Sequence, residues 1–227
     1  MKKESRRSFV RKTAAITSGV LATNVTLQSF ANVNENKKLK LAVVGCGGRG
    51  SGAVVQALNA DDNVELISMA DAFRDRIDSS LKGIQDHFGD SKKIKVKEKN
   101  IFIGFDSYKK AIDLCDVVIL TTPPGFRPLH FEYAVNNGKH VFMEKPVATD
   151  ATGVRRVLES AKKAKENKLN VVVGLQRHYQ NKYLNLYDKV SSDQIGKIVS
   201  GQVYWNDGGV WVNTRKPVKK VFFGNYL

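Results

Sequence analysis

Residues 41–58, LAVVGCGGRGSGAVVQAL, constrain the fold of this chain more than any other stretch. An apolar run leads directly into glycines at G-x-G-x-x-G spacing, Gly45, Gly47 and Gly50, and a helical pattern follows. Each glycine has its own physical reason at that spacing. The first permits a tight turn, the second lets the backbone approach a pyrophosphate, and the third lets helix pack on strand. Amides around Gly48 and Arg49, at the start of the helix, would face the phosphates. A structural glycine corner satisfies the same pattern, so the rest of the chain has to decide.

The rest of the chain alternates strand with helix. LKLAVVG, NVELISMAD, IFIGFDS, CDVVILTTPP, KHVFMEKP and LNVVVGLQ read as strands, separated by helical segments such as RDRIDSSLKGIQDHFG and DATGVRRVLESAKKAKENK. Thr149 or Asp150 is the expected cap of the latter helix. SKKIKVKEKN reads as a basic, exposed connection. Such alternation predicts an α/β fold, a doubly wound parallel sheet of Rossmann type. Right-handed crossovers would collect every strand's carboxyl end on one edge. That edge would gather Gly45–Gly50, Asp71, Thr121–Pro124, Glu144–Pro146 and Gln176–His178, residues otherwise scattered along the chain.

Each of these has a candidate role and a plainer alternative. Asp71, ending the second strand, can accept both hydroxyls of an adenosine ribose and would repel a 2′-phosphate, which favours NAD over NADP. It could instead cap the next helix, and Arg74 and Arg76 nearby could accept a phosphate. Thr121 and Pro123 lie in a turn that would run along the cofactor ribose and phosphates, or simply stop the strand. Glu144 can hydrogen-bond the nicotinamide ribose. Lys145, if partly buried, can donate to a substrate hydroxyl or developing alkoxide. A solvated surface pair is the alternative for both.

VVGCGGRG, MAD, CDVVILTTPP, GKHVFMEKP and VVVGLQRHY, in this order, resemble the Gfo/Idh/MocA oxidoreductase family over residues 38–207. The EKP after GKHVF is the most specific element. The resemblance implies an NAD(P)-binding Rossmann domain, followed by an α+β domain built on a large open sheet, and sugar or polyol substrates handled by hydride transfer. It implies that Lys145 lies at substrate and nicotinamide and that Arg177 and His178 border the same pocket, Arg177 on the substrate and His178 as an acid/base or as a structural histidine. NAD-dependent glycosidases, which oxidise C3 transiently, are built similarly and are a second reading.

The formal charge is +15, of which residues 1–31 hold +5, from six basic residues and one acidic residue. The remaining lysines sit in runs such as KKIKVKEK with no aromatic-rich module among them, which argues for solvated faces rather than nucleic-acid binding. SRRSFVRK, a weakly apolar stretch and then SFA resemble a twin-arginine export signal, implying passage through that machinery to the periplasm or beyond. The apolar stretch is too short and polar for a stable membrane span. Cys46 and Cys115 would lie a strand length apart, outside disulfide reach, as small buried thiols. No metal site is expected.

These readings divide the chain into a signal (1–31), a linker (32–37), a Rossmann domain (38–176) and the start of the sheet domain (177–227). In the last part NKYLNLYDKVSS looks helical and GKIVSGQVYWND looks like a strand. The family's second domain is about as long again as its first. A shortened or frameshifted chain is therefore expected here, one that could be a non-catalytic nucleotide-binding remnant or, with the sheet domain complete, a homo-oligomer.

Overall fold

The computed structural model describes residues 38–206 except Asp90, together with Gly208. The expected export signal (1–31) and linker (32–37), like residues 209–227, lie outside the described residues. The chain divides into two compact units at Leu175/Gln176.

The first unit carries a six-stranded parallel sheet in the order β3-β2-β1-β4-β5-β6. Its elements are β1 (Leu39–Val44), α1 (Gly48–Ala60), β2 (Val64–Asp71), α2 (Arg74–Phe88), β3 (Ile101–Ile103) and α3 (Ser107–Asp113), followed by β4 (Val117–Leu120), α4 (Arg127–Asn136), β5 (His140–Met143), α5 (Ala151–Glu166) and β6 (Val171–Val173). The order reverses between β1 and β4, and a crevice opens outside the strand ends at such a switch.

The central strands are mainly apolar because both faces of the sheet are covered there. Successive β1 side chains point to opposite faces. Leu41 and Val43 pack with Val54 and Leu58 of α1 and Ile77 and Ile84 of α2. Ala42 and Val44 pack with Ile112 of α3, Phe131 of α4 and Val157 of α5. Burying residues such as Phe131 and Leu58, both fully enclosed, contributes roughly 1.5–3 kcal/mol each. Asp150 caps α5, accepting from the Gly153 amide at 2.6 Å.

The basic connection is not a free loop. Lys95 N–H donates to Leu66 O at 2.8 Å, Leu66 N–H donates to Lys93 O at 2.9 Å, and Ile94 and Val96 pack against the core. The lysines alternate with these apolar residues, so one face is buried while the other stays wet. Lys93 also donates to Leu58 O at 2.6 Å and Asp61 O at 3.2 Å. A cation there complements the carboxyl end of α1.

In the second unit, a short turn of helix at Gln176–Tyr179 precedes α6 (Asn181–Ser191). Residues 197–206 form no strand, contrary to the reading of GKIVSGQVYWND. Val199, Val203 and Trp205 stand 87%, 96% and 73% exposed. An alternating sequence becomes a strand only when a neighbour completes its ladder, and none pairs with it among the described residues. In those residues no helix is long and apolar enough to cross a membrane.

Candidate functional site

The glycine turn follows β1 at the switch between β1 and β4. Gly45 has φ +97°, and a Cβ there would lie 2.6 Å from the Thr122 amide nitrogen. At Gly50 a Cβ would lie 2.0 Å from Gly45 O. The fold itself requires both glycines. Gly47 differs: it precedes α1 in extended conformation, offers no side-chain cap, and a Cβ there would meet nothing within 4 Å. Gly48, the first helical residue, is equally open, and Arg49 follows it. The α1 amino terminus therefore faces open space, with no acidic residue in its first turn. Uncapped amides with positive dipole character are the chemistry of a phosphate cradle.

Asp71, the last residue of β2, joins this turn. Its Oδ2 accepts from the Cys46 amide at 2.7 Å and its Oδ1 from the Phe73 amide at 3.0 Å. It does not cap α2, whose N-cap is Phe73 without a side-chain bond. Arg74 points elsewhere: it binds Asp78 at 2.8 Å and forks onto Glu98, one arm at 3.1 Å. These two carboxylates raise its pKa above the ordinary arginine value. Arg76 is exposed.

Thr121 ties β4 to the glycine turn: its hydroxyl donates to Gly45 O at 2.6 Å. Pro123 is exposed, and its carbonyl accepts from the Phe126 amide at 3.1 Å. Asp71, Phe105, Tyr108, Thr122, Phe126 and His130 line a largely apolar cleft beside this turn. Phe105 and Phe126 stack at its rim, ring centroids 5.8 Å apart.

Glu144 follows β5 and is 8% exposed. Its Oε1 accepts from Arg49 Nε at 2.6 Å, and a Cβ on Gly174 would lie 2.7 Å from the same oxygen. Lys145 is exposed rather than partly buried, and its ammonium has no protein partner among the described residues. Partial burial would need a wall over the residue, and the loop after β5 supplies none. One sheet edge thus carries Gly45–Gly50, Asp71, Thr121, Pro123, Glu144 and Lys145. Arg177 and His178 belong to the second unit, where both are exposed. Arg177 lies over the Tyr183 and Trp205 rings at 5.7 and 5.3 Å.

Two buried residues of this edge were not singled out from the sequence. Arg127, 2% exposed, donates to Thr122 O and Pro146 O. His130, 4% exposed, stacks on Tyr108 at 4.1 Å and bonds the Thr122 hydroxyl at 3.3 Å. Burial, with the Arg127 charge beside it, pulls the His130 pKa down to about 4. The only available signal was three-residue spacing on one helix face, a weak cue. Cys46 and Cys115 are free and buried. Burial raises both thiols, Cys115 to about 12. Among the described residues no cluster could hold a metal.

Residues 39–175 match the profile of an oxidoreductase family with an NAD-binding Rossmann fold, Gfo/Idh/MocA. Inositol 2-dehydrogenase of Salmonella typhimurium is 30% identical over 171 residues, 73% of this chain and 46% of that protein. A glycosyl hydrolase family 109 protein of Shewanella putrefaciens is 24% identical over 217 residues, 87% of this chain and 45% of that one. Among solved structures, myo-inositol 2-dehydrogenase from Lactobacillus plantarum superposes with TM-score 0.58 at 23% identity, covering 72% of this chain and 44% of that one. Scyllo-inositol dehydrogenase from Lactobacillus casei, with bound NAD(H) and scyllo-inositol, gives 0.54 at 22% identity, covering 70% and 43%. The chain thus spans under half the length of these relatives. With the sheet order, the glycine turn and the strand-end residues in agreement, the chain belongs to the Gfo/Idh/MocA oxidoreductase family.

Proposed function

We propose that this chain carries the cofactor-binding domain of an NAD-dependent oxidoreductase acting on a sugar or polyol by hydride transfer. The observation that carries the reading is the open, uncapped α1 amino terminus at Gly47 and Gly48, on the same sheet edge as Asp71 and Lys145. The α1 amides would hold the pyrophosphate, and Asp71 the adenosine ribose. The cleft between Tyr108 and Phe126 suits the apolar faces of a purine. NAD fits better than NADP, because Asp71 would repel a 2′-phosphate and Arg74 is already bound by Asp78 and Glu98.

The nicotinamide of bound NAD supplies a hydride acceptor, which no side chain can provide. Lys145 would hold the substrate hydroxyl by a charge-assisted hydrogen bond and favour its alkoxide as the hydride leaves. Glu144 would orient the ribose on the nicotinamide side. For Arg177 and His178 the family resemblance alone suggests substrate contact, with His178 as acid/base. The inositol dehydrogenases among the relatives make cyclic polyols the first substrates to try.

A second reading, an NAD-dependent glycosidase, is favoured by the family 109 relative, whose match extends over more of the chain. One experiment separates the two. The protein is supplied with NAD and offered inositols, hexoses and an aryl glycoside. Net appearance of reduced nicotinamide with a polyol supports the oxidoreductase. Release of the aryl group without net reduction supports the glycosidase, and neither product removes both as activities of this chain.

The paired Arg6 and Arg7 support export by the twin-arginine route, which carries folded proteins and would allow NAD to be loaded first. Fusing residues 1–31 to a reporter tests this, since Arg6→Lys with Arg7→Lys should retain it in the cytoplasm.

A further inference from the structure

The backbone ladder between β4 and β5 ends with one bond, Glu144 N–H to Leu120 O at 3.0 Å. Beyond it the chain enters two turns, Thr121–Phe126 and Lys145–Thr149. No backbone hydrogen bond joins these turns among the described residues. Arg127, the first residue of α4, spans the gap: Nη1 donates to Pro146 O and Nη2 to Thr122 O.

This guanidinium is unusual for a cation. It is 2% exposed, and among the described residues it pairs with no carboxylate and its Nε has no partner. Burial pulls its pKa below the ordinary arginine value, opposed in part by the Glu144 charge. Burying a cation without an ion pair costs free energy, so the stability of the core alone does not call for arginine at this position. What arginine adds is a rigid planar fork, able to fix two carbonyls relative to one another. Lysine, with a single point of charge on a flexible stem, cannot reproduce that.

We propose that Arg127 is the positioning residue of this site, holding the Lys145–Pro146 turn in register with the Thr122 turn. The inference rests on the proposed reading of Lys145 as the substrate's partner and of the turn holding Thr121 and Pro123 as running along the cofactor; Arg127 itself is enclosed beneath these turns. Preorganised geometry of this kind decides how well a catalytic group meets its target, because displacements near 1 Å are costly.

Amide hydrogen exchange on the full chain tests it, using Arg127→Lys, Arg127→Met and Arg127→Ala. Without cofactor, all three variants should exchange at least about tenfold faster at the bonded amides of the two turns, Phe126 N–H to Pro123 O and Glu144 N–H to Leu120 O, as for a weakened hydrogen bond. Protection in β1 and β4 should persist. Millimolar guanidinium chloride should restore protection to Arg127→Ala and leave the other two unchanged. Upon saturation with NAD, the wild type should gain protection in both turns, the variants only in residues 121–126. Wild-type exchange in Arg127→Lys or Arg127→Met would overturn the proposal. So would faster exchange spread through β1 and β4, because that marks a residue serving the core. If NAD protects neither turn of the wild type, the cofactor reading fails, while the cofactor-free comparison still decides the role of Arg127.

Discussion

Arg49 Nε and Glu144 Oε1 lie 2.6 Å apart and join the glycine turn after β1 to the end of β5, across 95 residues of sequence. The pair spans the switch point, where the two halves of a dinucleotide would part. Glu144 is almost enclosed, whereas the Arg49 side chain is 46% exposed, so solvent screens the attraction. A double-mutant cycle with Arg49→Ala and Glu144→Gln should give a coupling of about 0.5–1 kcal/mol in urea unfolding. A coupling of zero would mean that the pair does not hold the two turns together.

The glycines should separate by role. Gly50→Ala places a methyl against Gly45 O and should destabilise the protein by about 3 kcal/mol or more. Gly47→Ala meets no protein atom and should lower stability by only about 0.5 kcal/mol, the order of a lost glycine cap. Urea denaturation of both variants checks the contrast.

His130 predicts a pH dependence. Its folded pKa, about 4, lies below the unfolded value near 6.5. The unfolded state therefore binds more protons between these values, and stability must fall as pH drops through that window. The neutral ring's contribution is complete above about pH 6.5, and acid removes on the order of 3 kcal/mol of it. His130→Phe should flatten the unfolding free energy between about pH 4 and 6.5. An unchanged slope would show that the histidine is solvated.

Both thiols should be silent in the native protein. Cys46 and Cys115 are 3% and 1% exposed, and burial disfavours their thiolates. A thiol reagent at mildly alkaline pH should label neither in the folded chain and both after denaturation. Rapid labelling of the native protein would show that the turn around Cys46 opens.

Cofactor preference should follow Asp71 and Arg74. Asp71→Ala removes the charge opposing a 2′-phosphate, and Glu98→Gln loosens the hold on Arg74. Together they should narrow the preference for NAD over NADP by about tenfold or more, or roughly 1.4 kcal/mol. Equilibrium titration with both nucleotides reads this directly.

Much of this was legible in the sequence for a physical reason. A parallel sheet with short right-handed crossovers sends every strand end to one edge, so Gly45, Asp71, Thr121 and Glu144 could be brought together without coordinates. Arg127 and His130 could not, because their helix has no clear apolar stripe, and which of its residues face inward depends on how it rolls onto the sheet. The exposure of Lys145 was equally hidden, since it depends on what covers one loop. At residues 197–206 the alternating pattern was real, but pattern alone does not supply a partner strand. Ile94 shows the reverse case, where alternating lysines disguised a segment that pairs with β2.

The open backbone at Gly47 is proposed as the dinucleotide cradle. Calorimetric titration of the wild type and Gly47→Ala with NAD and NADP tests it most directly. The wild type should bind NAD saturably at one site, at least about tenfold more tightly than NADP, and Gly47→Ala should lose about tenfold or more in NAD affinity with its fold intact. No saturable NAD binding by the wild type, or equal affinity in the folded Gly47→Ala protein, would rule out a cradle at Gly47.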